Sequence, residues 1–312
     1  MNRRTQGVET VPPAGDHGDD LLRVAAALGR PPEDFLDLAV SCNPVAADMT
    51  GLLVRHAAAI RRYPDPAPLR EAFSTMLGVE PDMLLFTNGA SEAIALLAAT
   101  LGPGRVEEPE FGLFPRGGDA SAPRWISDPN NPTGLLAPPD READVRDESF
   151  WPLATGTWTR GDARIATVGS FTKLFACPGL RLGYVVADAE LVRELGARQP
   201  RWSVSSLAIA CVTEALTRVD VPSQASRVAE LRRELSALFE SHGLHPRPSD
   251  ACWILVDVGD AARFRAELAL RGVLVRDCTS FGMPETVRVA VPRLEGLKRL
   301  DEVLRELRWE AR

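Results

Sequence analysis

The sequence predicts an α/β fold: a large domain with a mostly parallel central sheet flanked by helices, then a small α+β C-terminal domain. Short apolar strand patterns alternate with helical patterns between residues 83 and 242, the order a parallel sheet requires. A strand pattern at 83–87 runs straight into Asn88-Gly89-Ala90-Ser91-Glu92 and then an apolar helix at 93–101, a strand, tight turn and helix in one unit. After His242 the order changes to strand, helix, strand, strand, helix.

Along the chain, 21–29 and 69–78 are apolar helical patterns that end in glycine, the residue best suited to a left-handed C-terminal position. Further strands are expected at 124–127, 164–168 and 182–187, with helices at 189–197, 205–218 and 223–242. The C-terminal part offers strands at 253–256, 273–276 and 287–291, and helices at 261–271 and 294–307. Residues 243–250 read as a hinge, which divides the chain into a tail and arm (1–48), a large domain (49–242) and a small one (243–312). The run Glu142-Ala143-Asp144-Val145-Arg146 is too polar for a buried central strand.

Composition narrows the function. With 45% hydrophobic and 25% charged residues the 312-residue chain is globular and long enough for one or two domains. A net charge of -7 gives no general attraction for phosphate backbones, so nucleic acid is not an expected partner and small-molecule chemistry is. Five scattered cysteines without a C-x-x-C pair indicate neither a disulfide framework nor a metal site, and suit a reducing, cytoplasmic setting. No apolar stretch is long enough to span a bilayer, and the first dozen residues, with Arg3 and Arg4, read as a loose tail.

Of the 36 basic residues only Lys173 and Lys298 are lysine. Lys173 lies in Ser170-Phe171-Thr172-Lys173-Leu174-Phe175-Ala176-Cys177-Pro178-Gly179-Leu180-Arg181, after an expected strand. A Schiff-base lysine needs a phosphate anchor beside it, and Ser170, Thr172 and Arg181 supply two hydroxyls and a guanidinium fork at suitable spacing.

This segment resembles the lysine motif of the fold-type-I pyridoxal 5'-phosphate (PLP) enzymes, in the branch that holds histidinol-phosphate aminotransferases and L-threonine O-phosphate decarboxylases. The resemblance implies that Lys173 carries the cofactor. It implies further that Gly89, Ala90 and Ser91, at the start of a helix, meet the cofactor phosphate. In Asp128-Pro129-Asn130-Asn131-Pro132-Thr133-Gly134 it assigns Asn131 to the phenolic oxygen, and in Asp147-Glu148-Ser149-Phe150 it assigns Asp147 to the pyridine nitrogen. Tyr63, in Arg61-Arg62-Tyr63-Pro64, would reach the phosphate of a neighbouring subunit, which implies a homodimer with shared active sites. Phe111 would stack on the ring, although an ordinary core position suits a phenylalanine equally well. Arg288, Arg276, Asn43 and His17 are the implied substrate-binding residues.

Four features lean toward the decarboxylase side: Phe150 where many aminotransferases of the branch have tyrosine, the segment His17-Gly18-Asp19-Asp20, the turn Trp202-Ser203-Val204-Ser205, and Arg276-Asp277-Cys278 with Val289-Ala290-Val291. Asp19 and Ser205 depart from the usual glycine and asparagine. Segments 111–128 and 134–147 are shorter than in typical relatives, too short for full crossovers with a helix. The readings are thus a decarboxylase of a phosphorylated amino acid in corrinoid side-chain synthesis, an aminotransferase of histidinol-phosphate type, and a catalytically silent PLP-fold binding protein.

Overall fold

The computed structural model describes residues 10–309, so Arg3 and Arg4 lie outside the described residues. Two compact units emerge, one of Cys42–Arg232 with Pro248–Cys252, the other of the described residues up to Ser41, Arg233–Arg247 and those from Trp253 onward. β1 (Leu36–Leu38) belongs to the second unit. β2 (Leu84–Thr87), β3 (Trp125–Ser127), β4 (Val145–Asp147), β5 (Ala166–Ser170) and β6 (Gly183–Ala187) form the sheet of the first. β7 (His245–Pro246), β8 (Trp253–Asp257), β9 (Val273–Asp277) and β10 (Thr286–Ala290) complete the second.

The sheet of the larger unit has the order β2-β6-β5-β4-β3. β3, β4 and β5 pair in parallel, and β6 runs against both β5 and β2, so four of its five strands point one way. Every residue of β4 and β5 is buried, as expected of strands covered on both faces. Val145, Val168 and Val185 pack with Ile94, Leu97 and Trp125 in its core.

β4 corrects the sequence expectation. The polar run at 142–146 does lead into a buried central strand, because Arg146, with no exposed side-chain surface, pairs with Asp128 at 2.7 Å and Asp162 at 2.9 Å. Charges that neutralise one another inside the fold do not betray burial in a hydropathy pattern. The short segments behave as their lengths require: residues 128–144 join parallel β3 to β4 without a helix. Arg160 holds that connection in shape, donating to the Ala137, Pro138 and Pro139 carbonyls at 3.2, 3.1 and 2.8 Å and to Asp128 at 3.1 Å.

The sheet of the smaller unit has the order β1-β9-β10-β8-β7, parallel at β1/β9 and antiparallel elsewhere. Phe264 and Leu268 of the helix Ala261–Leu270 and Leu300 and Leu304 of the helix Leu294–Leu307 are buried in this unit. Arg265 ties down the N-terminal segment, donating to the Pro12 carbonyl at 2.8 Å and to Asp20 at 2.9 Å. Among the described residues no helix is long and apolar enough to cross a membrane.

Candidate active site

The register of the larger unit's sheet sets Ser127 and Asp147, the last residues of parallel strands β3 and β4, abreast of Val168, two residues before the end of β5. Loops leaving the C-terminal edge of these strands carry Asn131 and Ser149 and a short helix carries Lys173, and such an edge is where open α/β sheets bind ligands. Lys173 sits in the short helix Phe171–Leu174, half-buried, with its Nζ 5.3 Å from the centre of the Phe150 ring. Beside it the Thr172 hydroxyl is buried without a hydrogen-bond partner. A polar atom orphaned in this way asks for a ligand.

Asn43 braces the lysine turn. Its backbone N–H donates to the Lys173 carbonyl at 3.0 Å, and its amide donates to the Leu174 carbonyl at 2.8 Å and to Gln224 Oε1 at 2.7 Å. Both amide hydrogens are thereby used within the protein, which leaves Asn43 no donor for the substrate role expected of it.

The helix Gly89–Leu101 starts at the same edge. The N–H groups of its first turn have no partner within the helix. Gly89 has φ +75°, and a Cβ there would lie 2.4 Å from Arg181 Nη2; one on Gly183 would lie 2.6 Å from the Ala90 nitrogen. Only glycine lets the start of β6 and the Arg181 guanidinium come this close to the turn. Arg181 donates to Ser91 Oγ at 2.9 Å. Free N–H groups, an orphaned hydroxyl and an exposed guanidinium together form a cradle for a phosphate group.

Asp147, at the end of β4, is buried and accepts the Ser149 N–H at 2.9 Å. Burial raises its pKa, against the lowering effect of the Ser149 hydrogen bonds and of the Lys173 charge. A carboxylate desolvated in this way is suited to face a second cation, such as a protonated ring nitrogen. Asn131 is buried and donates its backbone N–H to Ser127 Oγ at 2.8 Å. Phe111 is half-buried, edge-on to Phe114 at 5.8 Å. The residues present therefore fit a phosphorylated, ring-bearing cofactor at both its ends.

Two carboxylates that sequence reasoning passed over lie at the same edge. Burial pushes Glu110 up to about 7 and Glu148 up to about 7. The only sequence signal for Glu110 is its place beside Phe111.

Tyr63 stands apart, 76% exposed and packed on Trp202 with ring centres 4.6 Å apart. Arg288, Arg276 and His17 belong to the smaller unit. Arg288 and Arg276 are direct cross-strand partners on β10 and β9, and both are buried. Like charges placed opposite each other repel unless anions or dipoles intervene. Arg276 already donates to the Gly15 and Asp16 carbonyls and to Ser280 Oγ, so the phosphate role expected of it has few donors left. Arg288 lies 5.2 Å from the Trp253 ring centre and donates to the Ala39 carbonyl at 3.4 Å. His17 is exposed.

The profile of one family, Aminotransferase class I and II, matches residues 125–304 of the chain. The chain belongs to this family. Its members are PLP-dependent enzymes, and pyridoxal 5'-phosphate is the cofactor of this one. The chain is similar to histidinol-phosphate aminotransferase 1 of Dechloromonas aromatica, 28% identical, with 88% of this chain and 90% of that protein covered. It is similar also to the histidinol-phosphate aminotransferase of Symbiobacterium thermophilum, 29% identical over 87% of this chain and 90% of that one. In fold it resembles L-threonine-O-3-phosphate decarboxylase from Porphyromonas gingivalis, with a TM-score of 0.72, 23% identity, and 86% of this chain and 98% of that chain covered. Histidinol-phosphate aminotransferase from Sinorhizobium meliloti, solved in complex with pyridoxal-5'-phosphate, gives a TM-score of 0.73 at 17% identity, covering 86% of this chain and 90% of that chain.

Proposed function

We propose that this family member is an aminotransferase acting on histidinol phosphate or a closely related phosphorylated amine. The observation that carries the reading is the agreement among its curated relatives, which are named histidinol-phosphate aminotransferases and match 87–88% of the chain. They favour transamination over the decarboxylation suggested by Phe150, and the decarboxylase resemblance, at 23% identity, speaks for the fold alone.

Bound PLP supplies a sink for the electrons of a bond broken at the substrate Cα. The N–H groups of Gly89, Ala90 and Ser91, the hydroxyls of Ser170 and Thr172, and Arg181 hold its phosphate. Asp147 keeps a proton on the ring nitrogen, Asn131 donates to the phenolic oxygen, and Phe111 covers one face. Lys173 would hold the cofactor through Nζ until the substrate's own amine takes that place, and the Nζ amine so released would move the proton at the substrate Cα. Arg288 offers a planar fork to the anionic end of the substrate. Asn43 and Arg276, whose donors are occupied, have no direct part in this reading.

The exposed Tyr63 belongs to the same proposal: it completes the phosphate site of a second copy, in a homodimer with shared active sites working in the cytoplasm. Incubation with histidinol phosphate and 2-oxoglutarate tests the reaction, with glutamate formation as the expected result. Carbon dioxide from L-threonine O-phosphate, without glutamate in the first assay, would overturn it.

A further inference from the structure

Glu110 is 4% exposed and lies outside every motif assigned to the cofactor. Its carboxylate nevertheless gathers the segments that carry two of the cofactor residues. Oε1 accepts the Ser127 N–H at 2.9 Å, and Oε2 accepts both the Phe111 N–H, at 3.0 Å, and the Ser127 hydroxyl. That hydroxyl oxygen in turn accepts the Asn131 N–H at 2.8 Å. One buried carboxylate thus runs directly to the backbone of Phe111 and, through a single relay atom, to the backbone of Asn131. The crossover helices that could brace these loops are absent on both sides, since neither 102–124 nor 128–144 contains a helix.

We propose that Glu110 is a positioning residue for the ring end of the cofactor: through Ser127 it fixes Asn131, and through the Phe111 N–H it fixes the aromatic face. The proposal rests on the cofactor roles of Asn131 and Phe111 given above. A carboxylate is the group that suits this place, because the Phe111 N–H, the Ser127 N–H and the Ser127 hydroxyl all donate and only an acceptor with two oxygens satisfies them together. Glutamine keeps the shape but turns one acceptor into a donor that faces the Phe111 N–H and the Ser127 hydroxyl. Serine's oxygen is needed as much as the carboxylate, since it alone passes the constraint on to Asn131.

The test measures PLP affinity, and the visible absorption band of the bound cofactor with its pH midpoint, in Glu110→Gln, Ser127→Ala, Asn131→Ala and the unaltered protein. Thermal unfolding of each apoprotein runs alongside. At pH 8, above the pKa of about 7 to which burial pushes Glu110, loss of charged, buried hydrogen bonds predicts a drop in PLP affinity of roughly ten- to a hundredfold in Glu110→Gln and of up to about tenfold in Ser127→Ala. Both should move the pH midpoint of the band in the same direction as Asn131→Ala. If Glu110→Gln lowers only the apoprotein midpoint and leaves affinity and band alone, Glu110 is a core carboxylate and the proposal fails. Should Glu110→Gln not fold, Ser127→Ala decides, because unchanged affinity and band there break the relay. Should Asn131→Ala itself leave affinity and band unchanged, the assignment of Asn131 is at fault instead.

Discussion

Gly89, Gly183 and Arg181 shape one end of the site with backbone and a single exposed guanidinium. Glu110, Asp128, Arg146 and Asp147 shape the other with side chains that are almost wholly buried. At the proposed phosphate end the groups offered to a ligand are N–H dipoles fixed by helix geometry, and glycines merely make room for them. At the ring end each charge is held by another charge or by donated hydrogen bonds in a desolvated setting, where removing one partner strands the other. The first end should therefore tolerate side-chain changes in its fold while losing ligand; the second should lose both together.

The largest effect is expected where the two ends meet. Lys173 follows the orphaned Thr172 hydroxyl, and its charge acts on Asp147. Lys173→Arg keeps a cation there but removes the primary amine, so turnover should fall by at least about a thousandfold. Apoprotein stability should change by less than about 1 kcal/mol, since arginine keeps the cation beside Asp147 and Phe150. Lys298→Arg, on an exposed face of the helix Leu294–Leu307, is the control and should be silent in both measurements. Residual turnover in Lys173→Arg within tenfold of the unaltered enzyme would remove the lysine from the chemistry.

The same substitution made once at each end measures the contrast itself. Arg146→Met takes the cation from a fully buried pair with Asp128, leaving it only Arg160 at 3.1 Å. Breaking a buried pair from one side predicts a loss of about 3–5 kcal/mol in denaturant unfolding of the apoprotein. Arg181→Met, at an exposed site, should change the same measurement by less than about 1 kcal/mol while weakening PLP binding. Equal losses at the two positions would mean that the ends do not differ as described.

This difference in construction also explains what the sequence reveals. The larger unit's strands at 84–87, 125–127 and 183–187 and its helices stand out because apolar periodicity and terminal glycines are local signals. Ser170, Thr172, Lys173 and Arg181 stand out because a phosphate anchor needs hydroxyls and a fork at short spacing from the lysine. β4 does not, since its burial depends on Asp128 and Asp162, which lie 18 and 16 residues away from Arg146. Glu110 is invisible for the same reason: its partner Ser127 is distant in sequence. Asn43 carried an expectation of substrate contact, and only the fold shows its amide turned onto the lysine turn.

The smallest effect, and the one that tests desolvation at the ring end most directly, concerns Glu148. It has no exposed surface, and its Oε2 accepts the Arg160 N–H at 3.1 Å. Burial raises its pKa from 4.5 to about 7, with a further upward push from Asp128 and a downward pull from Thr159, Arg160 and Arg146. A carboxyl group raised on folding binds its proton more tightly in the folded state, so its contribution to stability is complete below about pH 4.5 and is lost as pH rises through about 7. Glutamine keeps an oxygen for the Arg160 N–H and does not titrate. Unfolding free energies of Glu148→Gln and the unaltered apoprotein at pH 5, 6, 7 and 8 should therefore diverge, the variant gaining on the order of 1–3 kcal/mol relative to the original across that range. Glu110 is present in both proteins and its similar slope cancels in the difference. Parallel curves would show that Glu148 ionises in the fold as easily as in water, and that this end of the site is wetter than its burial implies.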